Sequence, residues 1–99
     1  MPEFGSPYSI LSLDRKITKE ELIRAIRFFI SAEYEAIQLY MEIAEATDNE
    51  IAKRVLIDIA NEEKVHAGEF LRLLFEIDEN EKNFYKMGEK EVEEIIKEV

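Results

Sequence analysis

The chain has no cysteine, no tryptophan, one histidine, one glutamine, two prolines and three glycines in 99 residues. The lack of cysteine excludes disulfides, rubredoxin-type iron, thiolate zinc and thiol catalysis. Basic residues are in the minority, 13 against 23 acids, for a formal net charge of −10. Such a surface repels nucleic acid and anionic lipid and attracts cations. No apolar run approaches the roughly 20 residues of a membrane span, and no secretory leader is visible, so the default compartment is the cytoplasm. What remains is 46% apolar and 36% charged, enough to build the core of one small domain or one protomer of an oligomer.

Residues 1–16 show no helical period and read as an N-terminal arm. Its first six residues have the character of a cloning remnant, and Tyr8, Ile10, Leu11 and Leu13 could pack on a neighbour. Residues 17–99 read as one all-α domain. Thr18-Lys-Glu-Glu21 has the form of a capping box. A long helix without Gly or Pro is predicted from there to about Ala46. Its apolar seam runs Ile26, Ile30, Glu33, Ile37, Tyr40, Ala44 in steps of four and three. Thr47-Asp-Asn-Glu50 reads as a second capping box at a tight turn, and a second helix is predicted from about Asn49 to Phe75. Its seam is Ala52, Leu56, Ile59, Glu63, His66, Phe70, Leu73. Asp78-Glu-Asn80 and then Gly88 break the pattern, and a short third helix is predicted over Glu89–Val99. The short turn makes the first two helices an antiparallel hairpin. Their apolar faces are too wide for two helices to cover, so a dimer forming a four-helix bundle is expected.

Each long seam carries an acid at a core position. A buried carboxylate without a partner costs several kcal/mol, roughly, or protonates, so something cationic should meet it. Glu33 lies about fourteen residues before the turn and Glu63 about fifteen after it, which sets them at one height in the hairpin. His66 is one helical turn from Glu63. Read alone, Glu-x-x-His is an exposed acid beside a core histidine, a chance pattern in charged helices. The matched register of Glu33 points instead to a metal-ligand set of Glu33, Glu63 and His66. Carboxylate with imidazole suits iron, manganese or zinc. Tyr40, two turns along from Glu33, is a core aromatic or a group just outside the ligands. Glu35 and Glu62 read as surface acids that could line a route for cations.

A di-iron carboxylate bundle uses two lone glutamates and two Glu-x-x-His pairs. One chain supplies half of that set. Two chains supply four carboxylates and two imidazoles, whose −4 charge balances two divalent cations.

On Glu33, Tyr40 and Asn61-Glu-Glu-Lys-Val-His-Ala67, residues 17–99 resemble the two-helix members of the ferritin-like superfamily, above all the encapsulated ferritins. The resemblance implies a ferroxidase that oxidises Fe(II) at a di-iron site between two protomers, two irons per pair. The dimer would be part of a larger ring, commonly a decamer, housed in an encapsulin nanocompartment that holds the mineral. By the same resemblance, Glu63 would bridge both irons, Glu33 and His66 would be terminal ligands, and Tyr40 would stand just behind them. Position 32 is alanine where family members often have an acid, while Glu35 keeps the acid two residues after Glu33. Some relatives continue into the shell protein itself, so fusion to a shell remains open here. Two alternatives remain beside the ferroxidase: a rubrerythrin-like peroxide reductase needing an external electron donor, and a non-enzymatic metal-binding helical oligomer.

Overall fold

A computed structural model of the chain describes residues 14–99. The arm expected over residues 1–16 therefore falls largely outside the described residues. Three helices follow in order: α1 (Lys19–Ala46), α2 (Glu50–Ile77) and α3 (Glu79–Glu98). Among the described residues there is no strand.

The start of α1 is the expected capping box. The Thr18 hydroxyl accepts from the Glu21 N–H at 3.1 Å, and the Glu21 carboxylate accepts from the Thr18 N–H at 2.8 Å. Arg15 adds two bonds to the same carboxylate, at 2.7 and 3.0 Å. Those bonds, with the Thr18 N–H, hold the Glu21 carboxyl down at about 2. The α1–α2 turn differs from expectation. Thr47 is the C-cap of α1, and its hydroxyl accepts from the Asn49 N–H at 3.1 Å. Asn49 is the residue that caps α2, accepting from the Ala52 N–H at 2.9 Å. A Thr hydroxyl reaches a backbone N–H two residues on as readily as a helix cap, and Asn is among the strongest N-caps.

α1 and α2 pack as the expected antiparallel hairpin. On α1 the seam is as predicted, with Ile26, Ile37 and Ala44 buried and Ile30, Glu33 and Tyr40 half-buried. On α2 the helix is rotated by about one residue from expectation. Its contact line is Ala60, Ala67 and Leu74, with Leu56, Glu63 and Phe70 beside it, while His66 and Leu73 are on the exposed flank. The reason is size. Ala60 and Ala67 lie one turn on either side of Glu63 and let the two backbones close up. Ile23, Ile26 and Leu74 form a buried core cluster at the end of the hairpin away from the α1–α2 turn.

α3 starts at Glu79, not Glu89. Asp78 is at once the C-cap of α2, its N–H bonded to the Leu74 carbonyl at 2.8 Å, and the N-cap of α3, its carboxylate accepting from the Glu81 N–H at 3.4 Å. A single residue thus makes the break. Gly88 does not interrupt the helix, and no described glycine has positive φ. Its cost within a helix, about 1 kcal/mol relative to Ala, is too small to stop one.

The first turns of α3 are tied to α1 by an ion pair between half-exposed Arg27 and a buried carboxylate, which the sequence did not reveal. Glu81 is 7% exposed. It accepts from Arg27 Nε at 3.1 Å through both oxygens, from Arg27 Nη2, and from the Tyr85 hydroxyl. The Tyr85 ring meets Phe75 of α2 edge-on at 5.4 Å. From residue 83 onward α3 is exposed throughout, and the molecule spans 50 × 48 × 22 Å, flat and long in two directions. No described helix is long and apolar enough to cross a membrane.

Candidate metal centre

The hairpin brings Glu33, Glu63 and His66 together. One ligand atom from each lies within 4.8 Å of the others. His66 Nδ1 stands 3.7 Å from Glu33 Oε2 and 3.5 Å from Glu63 Oε2. Glu33 and Glu63 are each under one-fifth exposed and His66 is about half exposed. The register count from the turn was therefore sound, although α2 is rotated: Glu63 stays beside the contact line and His66 reaches over from its flank.

These atoms converge without bonding to one another. Glu33 Oε2 is buried and has no hydrogen-bond partner. A buried acceptor left unmade costs about 1–3 kcal/mol, more when charged, and a cation meeting this oxygen would relieve that cost. Two ligands about 2.1 Å from one ion, at tetrahedral or octahedral angles, sit roughly 3.0–3.4 Å apart. The observed 3.5 and 3.7 Å need only small side-chain movements to reach that. The donor set, two carboxylates and an imidazole, fits a borderline divalent cation such as Fe(II), Mn(II) or Zn(II). Three donors leave the coordination of even one such ion incomplete, and the cluster is open on the His66 side. Along that opening the Phe29 and Phe70 rings meet at 5.4 Å, tilted by 45°, and Phe29 and Leu73 remain 45% exposed. An apolar rim beside unfinished coordination is what a second protein surface would cover.

Residues 13–99 match the rubrerythrin family. The crystal structure of the encapsulated ferritin domain from Pyrococcus furiosus superposes with a TM-score of 0.81 at 41% identity, covering 84% of this chain and 85% of that one. The chain belongs to the rubrerythrin family, among its encapsulated ferritins. It is also 39% identical, over 88% of its length, to the ferritin-like–encapsulin shell fusion protein of P. furiosus. To the encapsulin nanocompartment cargo protein EncC of Myxococcus xanthus it is 42% identical over 79% of its length. It spans 25% of the fusion protein and 58% of the cargo protein. As an encapsulated ferritin it has the expected all-α architecture, a helical hairpin followed by a third helix.

The other residues singled out in the sequence stand apart from the cluster. Tyr40 is half-buried two turns along α1, and among the described residues its hydroxyl has no hydrogen-bond partner. Glu35 is half-buried and Glu62 exposed. A groove of about 660 Å³ opens elsewhere, beside Arg27 and Glu81, and none of the three clustered residues lines it. The Arg27–Glu81–Tyr85 network was missed because nothing local marks it: its partners are 54 positions apart. The one available signal was Glu81 and Tyr85 on the same stripe as Val92 and Ile95, which would have shown that α3 starts early.

Proposed function

We propose that this encapsulated ferritin is a ferroxidase: two copies together bind two Fe(II) and oxidise them to Fe(III). The observation that carries the reading is the unpartnered buried Oε2 of Glu33, facing His66 Nδ1 beside Glu63. The catalytic set is Glu33, Glu63 and His66, with Tyr40 as the nearby hydroxyl on the same seam. Glu63 would be shared between two ions, Glu33 and His66 would each bind one, and the second copy would supply the same three groups. Iron is the substrate. Each Fe(II) gives up one electron, with O₂ as acceptor and peroxide as the alternative.

The protein's own part is position and charge. Four carboxylates offset the +4 of two divalent ions, and the charge of −10 draws cations in, with Glu35 and Glu62 on the approach. The imidazole must be neutral to donate a lone pair, and the carboxylates must be ionised, so binding releases any protons they hold. Manganese or zinc would fit the same donors without turning over as iron does. The assembly expected is a homodimer within a larger ring, a decamer in the resemblance above. It would lie inside an encapsulin nanocompartment as cargo or fused to the shell.

The test is Fe(III) formation after mixing with Fe(II) in air. Glu33→Ala, Glu63→Ala and His66→Ala should each reduce the catalysed rate to that of iron in buffer. Near wild-type oxidation by His66→Ala would remove the di-iron reading. The rubrerythrin match favours one alternative, peroxide reduction at the same residues. Without cysteine the chain would need an external reductant, so peroxide consumption with added electron donor separates the two.

A further inference from the structure

α1 has a second stripe, on the side away from α3. Glu21, Ala25, Phe28 and Ala32 follow one another in steps of four, three and four. They lie about 130° round the helix from the line that packs on α2. Cover on this stripe fades along the helix: Ala25 is 3% exposed, Phe28 is half-buried and Ala32 is exposed. Neither of the other helices accounts for the buried end. Ala25 is outside the cluster of Ile23, Ile26 and Leu74 and about 100° from the α1 contact line. α3 meets α1 through Arg27, about 160° round from Ala25. Ile43 has the same bearing as Ala25 about five turns on, and it is 51% exposed although α2 runs beside it too. Whatever covers Ala25 is therefore local to the start of α1.

The chain itself enters on this face. Arg15 holds Glu21, the first residue of the stripe, by bonds of 2.7 and 3.0 Å, and its Nη1 also donates to the Lys16 carbonyl at 3.0 Å. Just before it in sequence, outside the described residues, comes Tyr8-Ser-Ile-Leu-Ser-Leu13. This segment has no charge and is apolar except for two serines, so it gains free energy from burial. Six extended residues span roughly 20 Å, and the stripe from Glu21 to Ala32 rises roughly 16 Å. The small side chains of Ala25 and Ala32 leave shallow room on either side of Phe28.

We propose that residues 8–13 form a strap that folds back along α1, anchored by the Arg15–Glu21 pair and seated on Ala25 and Phe28. The chain's own segment is the occupant because the burial is confined to the end of the stripe where that segment enters. A helix from a second copy would cover the stripe along its length, Ala32 included. The strap braces the first half of α1, from its cap to the turn before Glu33.

The experiment uses the full chain with Phe28 replaced by p-benzoylphenylalanine, a photo-cross-linker that tolerates differences in register. Light- and heavy-nitrogen chains are unfolded together, refolded and irradiated, and the cross-linked peptides are read by mass spectrometry. The main product should join position 28 to residues 8–13 of the same chain. Products that mix light and heavy nitrogen would overturn the chain's own segment as occupant in favour of a second copy. A main product on any other segment, or no product, would overturn the strap. A second measurement leaves Phe28 in place. Leu11→Asp combined with Leu13→Asp should keep helix content by circular dichroism. Amide exchange over residues 22–29 should rise at least tenfold, with residues 56–67 of α2 unchanged. Wild-type exchange over 22–29, or equal acceleration in α2, would overturn a local cover on α1. Arg15→Gln, which leaves the Thr18–Glu21 capping box in place, should lower the cross-link yield at least threefold. An unchanged yield would overturn the anchor.

Discussion

Two buried carboxylates in this chain differ in what meets them. Glu33 is buried with an oxygen that bonds to nothing, while Glu81 is buried with every oxygen used. The second case has a pH signature. Arg27's hydrogen bonds hold the Glu81 carboxyl below its usual 4.5. The folded state therefore gains from the ionised form above that value, and the gain is lost as pH falls below it. Tyr85 shifts the other way. Burial first, then its bond to Glu81, push the phenol up to about 12. Between its ordinary value of 10 and about 12 the folded chain keeps a proton that the unfolded chain has lost, so stability falls as pH rises through that window. A spectrophotometric titration of the four tyrosines should show a late phase that disappears in Tyr85→Phe. A late phase that persists in the variant, or a wild-type titration without one, would show that Tyr85 is not held by Glu81.

Helix ends carry the next set of consequences. Asn49, not Thr47, satisfies the first turn of α2. Asn49→Ala should destabilise the hairpin by about 1 kcal/mol. Thr47→Ala, which loses one bond to an exposed N–H, should cost less. Urea unfolding of the two variants checks the order, and the reverse order would restore Thr47 as the cap. The start of α1 was legible, and that of α2 to within a residue though not its cap, because capping is local chemistry: a Thr or Asn and its N–H are three residues apart in any sequence. The start of α3 was not. Its cap, Asp78, also closes α2, and a helix resuming after one residue leaves no composition change to read. The seam of α2 was one residue off for a related reason. Hydrophobic period favours large side chains, whereas the contact line here follows Ala60 and Ala67, which are small.

At the scale of the whole molecule, the half-cluster and the uncovered faces give one expectation about assembly and one about iron. Native mass spectrometry should find even-numbered oligomers, populated further when Fe(II) is bound, and a fully active monomer would refute the shared site. The second expectation separates oxidation from storage. A four-helix bundle closed on two ions is filled by side chains, and two hairpins enclose no mineral-sized space. The isolated protein should therefore oxidise excess Fe(II) in air and release the product, which precipitates. Electron microscopy showing discrete protein-bound cores of hundreds of irons would mean that no shell is needed.

The sequence by itself was enough for the hairpin, its α1 seam and the meeting of Glu33, Glu63 and His66. All three follow from helical period and a count of residues outward from one short turn. Those quantities are local, and rotating α2 by one residue does not change the height at which two side chains meet. Only the tertiary structure decided that Glu33 Oε2 is buried and unpartnered, that the cluster opens on the His66 side, and that α3 begins at Glu79 and is pinned to α1. Each depends on how closely two helices approach or on partners 54 positions apart. Contact between distant residues is fixed by packing, which leaves no period in the chain to count.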